Sequence, residues 1–275
     1  MKFTDKKIQI INTLYHKNNR LDSFADTNTL LELCNQEQIP FIHFWTMADK
    51  TLILGINDRH VPNLKAGLKS VVGHGYDYFL RNSGGLGVIS DLGVINISLF
   101  IPTKDTKYTI DQGYQVMADF IQDCFPNIQI KTGEVKNSYC PGKFDLQVGG
   151  QKIAGISQRR SHDALVIMLY LGVFGDQNQR SQVVLDFYQK SNAYSQTKFN
   201  FPRVDPQTMT TLEELGLNGL SLQKVNNKFI QSITKSQMIV DTINQDKLLN
   251  SQKYQTEKIN QLHRIRLRNE QIPLV

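Results

Sequence analysis

Cys140 sits in the run Asn137-Ser138-Tyr139-Cys140-Pro141-Gly142, hemmed by loop formers. Proline and glycine directly after a cysteine shape an irregular, accessible backbone, and a loop thiol is a better candidate nucleophile than a buried one. Such a thiol needs a positive neighbour to hold it as thiolate. Residues 145–148 and 151–158 read as a hairpin around Gly149-Gly150. A two-residue turn pairs Val148 with Gln151, Gln147 with Lys152, Leu146 with Ile153 and Asp145 with Ala154. Cross-strand partners share a face. Leu146, Val148 and Ile153 therefore fall on one face, and Asp145, Gln147, Lys152 and Ala154 on the other. Lys152 is then either a solvated surface lysine or a pocket lysine that polarises Cys140 and holds a carbonyl oxygen. The residues leave both open.

A second cluster is Arg81-Asn82-Ser83-Gly84-Gly85-Leu86-Gly87. Its glycines permit close backbone approach to a ligand. It is a poor dinucleotide loop, because Gly85-Leu86-Gly87 runs on to Ser90 where a third glycine belongs, and no Walker lysine follows. It reads as a glycine-rich hairpin or as a backbone-lined channel, with Asp91 supporting the loop or capping a turn. Other chemistries find less support. Cys34 and Cys124 lie on apolar helix faces and are expected in the core. Three cysteines without CxxC pairing or zinc-spaced histidines predict neither a disulfide framework nor a metal site. A Ser-His-Asp hydrolase through His74 or His162 lacks a G-x-S-x-G elbow.

The elements that must position these residues follow from periodicity. Residues 23–35 read as a helix through Phe24, Leu30, Leu31 and Cys34. Strands are expected at 41–45, 51–55, 76–80, 86–89, 93–100 and 163–173, and the stretch 131–142 is irregular. Residues 109–125 form a helix with Ile110, Tyr114, Met117, Ile121 and Phe125 on one side. Further helices fall at 181–190, 221–235 and 247–269. Strands early and helices late predict an α+β fold with a mixed, mainly antiparallel sheet.

Composition bounds the rest. The chain has 275 residues, 40% of them hydrophobic and 20% charged, enough for a sizeable core. Residues 1–10 lack the apolar run of a signal peptide. The apolar run 164–173 is too short to span a bilayer, so no membrane partner is expected. With the reduced cysteines this predicts a cytoplasmic protein. The net charge of +6 gathers late, at Lys253, Lys258, His263, Arg264, Arg266 and Arg268. A solvated helix face explains it first, and an acidic protein partner second. No aromatic-basic stripe accompanies it, so no nucleic acid is expected.

Two runs resemble the signatures of the biotin/lipoate protein ligase fold. The first is Arg81 through Ser98, and the second is Ser138 through Arg160. The similarity extends over roughly residues 23–241. Ligases and acyl-carrier-dependent octanoyltransferases of that fold usually end the first signature in His-Asp, where this chain has Ser90-Asp91. With Asn82 and Cys140, the pattern is most similar to the octanoyl/lipoyl-[glycine cleavage H protein]:protein N-acyltransferases of Gram-positive bacteria. The resemblance implies a catalytic domain at 1–241 and a basic helical extension of the same domain at 242–275. It implies Cys140 as acyl-thioester nucleophile and Lys152 as its activating partner. Arg81, Ser83, Gly84, Gly85, Ala154 and Gly155 would line an acyl tunnel. The donor would be the glycine cleavage H protein and the acceptor the lipoyl domains of 2-oxoacid dehydrogenase E2 subunits, with no cofactor, ATP or metal. Such partners are commonly acidic, which would suit the basic surface. Octanoyl-acyl carrier protein as donor, an ATP-dependent ligase and a non-catalytic binder of lipoyl domains are the alternatives.

Overall fold

A computed structural model describes residues 7–195, 198–236, 239–241 and 245–275 of the chain. Part of the N-terminal run read for a signal peptide, residues 1–6, and the proposed junction at 242 lie outside the described residues. The order is β1 (Lys7–Tyr15), α1 (Asp22–Glu37), β2 (Phe41–Met47), β3 (Thr51–Leu54), α2 (Leu64–Gly73), β4 (Asp77–Leu80), β5 (Val88–Ser90) and β6 (Val94–Pro102). Then come α3 (Ile110–Cys124), β7 (Lys131–Thr132), β8 (Leu146–Val148), β9 (Gln151–Ser161), β10 (Ala164–Gly172) and α4 (Gln177–Lys190). The chain closes with α5 (Leu222–Lys235), β11 (Ile239–Asp241), α6 (Gln245–Leu249) and α7 (Gln252–Asn269).

Eight strands form one sheet in the order β11-β1-β2-β6-β10-β9-β8-β7, and β4-β3-β5 form a small second one. The large sheet is parallel only at β11-β1-β2, and antiparallel from β2 onward. Every residue of β6 is buried, so both faces of the sheet are covered. On one face Ile42, Phe44, Ile95, Ile97, Leu99, Leu165, Ile167, Leu169 and Leu171 pack with Met117 and Ile121 of α3 and Phe229 and Ile233 of α5. Thr109 starts α3 by accepting from the Gln112 amide, and Gln112 caps back. Ile110, expected on the apolar side of that helix, is instead 61% exposed, because it lies in the first turn beyond the sheet edge.

The opposite face differs in chemistry. Register puts Trp45 beside Asn96, Asn96 beside Tyr170, and Tyr170 beside Gly155, one row across four strands. The next row holds His43, Ser98, Met168 and Ser157. A sheet face this polar cannot be sealed by aliphatic packing alone. It carries a cavity bordered by Trp45, Asn96, Tyr170, Met168, Gly155 and Ser157, while α1 closes the end around Phe41, Phe100 and Val166.

Several elements differ from the sequence reading. Strands β1, β7 and β11 and helix α2 were not expected, since Lys7–Tyr15 alternates weakly, β7 and β11 are two and three residues long, and α2 spans only ten residues. The glycine run 81–87 is not a hairpin: β4 pairs parallel and β5 antiparallel to β3, so the run crosses from one side of β3 to the other. The 247–269 helix is broken, α7 starting afresh with Ser251 capping the Tyr254 amide.

Helix α7 lies on α1 through a buried polar knot. Asp26 accepts from Tyr15 Oη (2.6 Å) and Tyr254 Oη (2.7 Å), and Lys258 Nζ lies 3.0 Å from it. Removing this carboxylate strands the Tyr254 hydroxyl and leaves Tyr15 Oη only a 3.4 Å contact to His43 Nε2, while Lys258 keeps Asp22 at 3.1 Å. Asp26→Ala is therefore expected to lower the unfolding free energy by about 3 kcal/mol, measured by urea denaturation. A loss under about 1 kcal/mol would show that the knot contributes little.

Candidate active site

The hairpin β8-β9 sets the site. Gly149 and Gly150 both have positive φ, 59° and 88°, as a two-residue type I′ turn requires. The expected pairs Val148–Gln151 and Gln147–Lys152 are present, but Leu146 then pairs with Ala154. A bulge at this step adds one residue to β9. This corrects the expected partners Leu146–Ile153 and Asp145–Ala154. It also corrects the placement of Ala154, which lies in the apolar core with Ile153 and does not line the cavity. Lys152 and Gly155 come to share the cavity face in consequence. A Cβ built on Gly155 would lie 3.4 Å from Lys152 Cε.

Lys152 is not on a solvated face; it is 2% exposed and its ammonium is fully occupied. It is 3.0 Å from Asp145 Oδ1, and donates to the carbonyls of Tyr139 (3.0 Å) and Cys140 (2.8 Å), with Ser138 Oγ at 3.4 Å. Asp145 in turn accepts from the amides of Gly142 (3.0 Å) and Val135 (3.4 Å). Burial pushes the Asp145 carboxyl up, and the Lys152 charge opposes that push. The pair thus gathers the loop 135–142 from both sides. It holds Cys140 in the left-handed region at φ 48°, where a residue other than glycine rarely rests.

That conformation turns the half-buried Cys140 Sγ toward the glycine run. The Leu86 amide donates to Sγ at 3.4 Å, and Arg81 Nη2 approaches to 3.9 Å. Arg81 is itself fixed by the carbonyls of Gly84 (2.9 Å) and Leu86 (3.1 Å). The cation at the sulfur is therefore Arg81, and Lys152 acts on the backbone of the loop. Sequence reasoning paired Cys140 with Lys152 and missed the Leu86 amide, because a backbone donor leaves no mark in residue type.

Arg81, Ser83, Gly84, Gly85, Cys140, Lys152 and Gly155 all border one cavity of about 340 Å³. Away from the sulfur its walls are Trp45, Phe24, Ile53, Val88, Ile156 and Met168. Phe24 meets Trp45 edge-on at 5.8 Å. The Tyr139 and Tyr170 hydroxyls are hydrogen-bonded to each other at 2.5 Å in its wall. Asp91 takes no part in the cavity; it pairs with Arg180 at 2.8 Å. His74 and His162 do not border it either. Cys34 and Cys124 are buried, and burial pushes the Cys124 thiol up to about 12. No group of three or more His, Cys, Asp or Glu is poised for a metal among the described residues, and none of their helices is long and apolar enough to cross a membrane.

Residues 19–234 match the lipoyl protein ligase A/B catalytic domain family. An octanoyl-[GcvH]:protein N-octanoyltransferase of Oceanobacillus iheyensis is 39% identical over 79% of this chain and 78% of its own. A lipoyl-[GcvH]:protein N-lipoyltransferase of Listeria monocytogenes is 39% identical over 74% of this chain and 73% of its own. Among solved structures, lipoate-protein ligase A bound with ATP superposes with a TM-score of 0.69 at 17% identity, covering 94% of this chain and 95% of that one. That last likeness speaks to the fold, and it agrees with the expected mixed sheet flanked by helices.

The difference in cysteine settings has a direct consequence. Iodoacetamide on the native protein should modify Cys140 alone, and Cys140→Ala should abolish the labelling, as read by intact mass. Comparable native labelling of Cys34 or Cys124 would contradict this geometry.

Proposed function

The chain belongs to the lipoyl protein ligase A/B catalytic domain family, and from that membership we propose that it is an acyltransferase moving an octanoyl or lipoyl group from the lysine of glycine cleavage H protein to the lysine of E2 lipoyl domains. The observation that carries this reading is the setting of Cys140 Sγ. It faces an amide N–H at 3.4 Å and a guanidinium at 3.9 Å, at the mouth of a cavity whose far walls are apolar.

In this reading the Cys140 thiolate attacks the carbonyl carbon of an acyl-lysine amide. The carbonyl oxygen takes up the charge and is stabilised by the Leu86 N–H and Arg81, donors that are already fixed. Collapse breaks the C–N bond, a proton passes to the leaving lysine amine, and an acyl thioester remains on Cys140. The amine of the acceptor lysine then attacks the thioester, and Cys140 leaves. One amide is exchanged for another, so the net change is near thermoneutral and neither ATP nor a cofactor is required. Lys152 and Asp145 keep the Cys140 loop in place through both halves. A thiol nucleophile suits the reducing cytoplasm.

The acyl chain fits the row across the sheet. From Gly155 to Trp45 there are three inter-strand steps, about 14 Å. An extended eight-carbon chain spans roughly 9 Å with C–C bonds near ~1.5 Å, which leaves room for the Trp45 and Phe24 rings as an end wall. Arg81, Ser83, Gly84, Gly85 and Gly155 line the start of that path.

The reading is tested by a donor comparison without ATP. Octanoyl-H protein should support octanoylation of an isolated lipoyl domain, octanoyl-acyl carrier protein should do so at least about tenfold less well, and Cys140→Ala should be inactive because covalent catalysis is lost. Preference for acyl carrier protein would reassign the donor. A requirement for ATP, with activity surviving in Cys140→Ala, would replace the mechanism with a ligase.

A further inference from the structure

Asp58 is fully buried, faces no direct ion-pair partner, and has no part in the chemistry above. It lies in the 3-10 turn Ile56–His60 that follows β3. Its Oδ2 accepts the Gly55 amide at 2.7 Å, and its Oδ1 accepts Tyr188 Oη of α4 at 2.8 Å. The Gly87 backbone lies against the same carboxylate, so that a Cβ on Gly87 would lie 3.6 Å from Oδ2. Asp58 thus ties together two backbone segments, the end of β3 and the end of the glycine run.

Those segments bracket the donor aimed at the sulfur. Gly55 touches the run so closely that a Cβ there would sit 2.1 Å from Gly85 O and 2.7 Å from Leu86 N. Gly55 is the floor beneath the Gly85–Leu86 peptide, and Gly87 is its next anchor. Apart from Arg81, which grips the Gly84 and Leu86 carbonyls, little else in the run is hydrogen-bonded; Ser83 O accepts the Ile56 amide at 3.4 Å. A peptide in no strand or helix must be fixed by such side-chain contacts or its N–H wanders. We propose that Asp58 is a positioning residue, whose carboxylate, gripping the Gly55 amide, packed against Gly87 and steadied by Tyr188, holds the Leu86 N–H on the reacting centre at Cys140. This rests on the acyl-transfer reading for its consequence in rate, but the positioning itself can be read without any substrate.

The ionisation of Asp58 follows from its site. Desolvation raises its carboxyl from the ordinary carboxylate value to about 7, with the Tyr188 hydroxyl, the neighbouring backbone and Arg81 opposing. The ionised form accepts from both the Gly55 amide and Tyr188 Oη, whereas the protonated form must surrender an acceptor position. The anchoring is present above that value and is lost as pH falls through it. The charged or titratable groups facing Asp58 are Arg81 and Tyr188, and beyond Tyr188 lies Cys140. In the acyl-enzyme Cys140 carries no proton to lose, and the acceptor lysine, with an ordinary pKa of ~10.4, adds a rise that every variant shares, so an inflection that differs between variants belongs to Asp58.

The experiment has two arms. In the first, amide hydrogen exchange of segment 84–87 is compared in wild type, Asp58→Asn and Tyr188→Phe without substrate. Exchange should quicken about tenfold or more in Asp58→Asn, because the anchor against local opening is gone; unchanged protection overturns the proposal. In the second, octanoyl-Cys140 enzyme is mixed with acceptor domain and single-turnover deacylation is followed from pH 6 to pH 9. Wild type should show an inflection near pH 7. Asp58→Asn should be slower by about ten- to a hundredfold with that inflection absent and the acceptor KM unchanged. Tyr188→Phe keeps the carboxylate, so it guards against misfolding of the first variant, and its inflection should move to higher pH. A loss uniform in pH, or an inflection unmoved in both variants, overturns the proposal. Failure of wild type to form the acyl-enzyme would instead refute the acyl-transfer reading and leave the exchange result to decide the positioning.

Discussion

The buried pair Lys152–Asp145 is the constraint on which the site depends. Two opposite charges at 2% exposure are costly to bury, and their attraction offsets that cost only if every remaining donor and acceptor is used. Here they are used on the backbone of one loop. Lys152 takes the Tyr139 and Cys140 carbonyls, and Asp145 takes the Val135 and Gly142 amides. The loop cannot leave without stranding a charge. An irregular segment that carries a nucleophile in a left-handed conformation thereby becomes as firmly placed as the strands beneath it.

The rest of the site can be read as the consequences of that placement. A β-bulge in β9 brings Lys152 and Gly155 to one face, and the left-handed Cys140 points its sulfur across the cavity to the glycine run. The run itself is a crossing between β4 and β5, gripped by Arg81 from within and resting on Gly55, whose amide Asp58 holds. The cavity between the two segments lies over the polar face of the large sheet, where a row from Gly155 to Trp45 gives a path of fixed length. Reactivity at the mouth is set by two loops, one held from β9 and one joining strands of the small sheet, and selectivity at the wall by strands of the large sheet.

Much of this was legible in the residues. The hairpin and its glycine turn, the α3 helix and the buried Cys34 and Cys124 follow from spacing and residue type, whereas the meeting of Cys140 with Lys152 and the glycine run was implied by the family resemblance alone. What escaped is also instructive. The bulge is invisible to pairing arithmetic, which assumes one residue against one, so Ala154 was placed in the cavity when it belongs to the core. The role of Lys152 was drawn as contact with sulfur because side-chain charges are what a sequence displays; the carbonyls it holds are common to every residue. Asp145 stood on the same face in that arithmetic and could have been taken as its counter-ion. Asp58 had no such signal, since its partners are a glycine amide and a tyrosine far along the chain.

The central claim is that Cys140 carries the acyl group between two protein lysines. The most direct measurement is the intact mass of the enzyme after incubation with octanoylated H protein alone, without ATP or acceptor. The account predicts one octanoyl adduct, mapped by peptide analysis to Cys140 and discharged when a lipoyl domain is added. No adduct, or an adduct at any other residue, would contradict it.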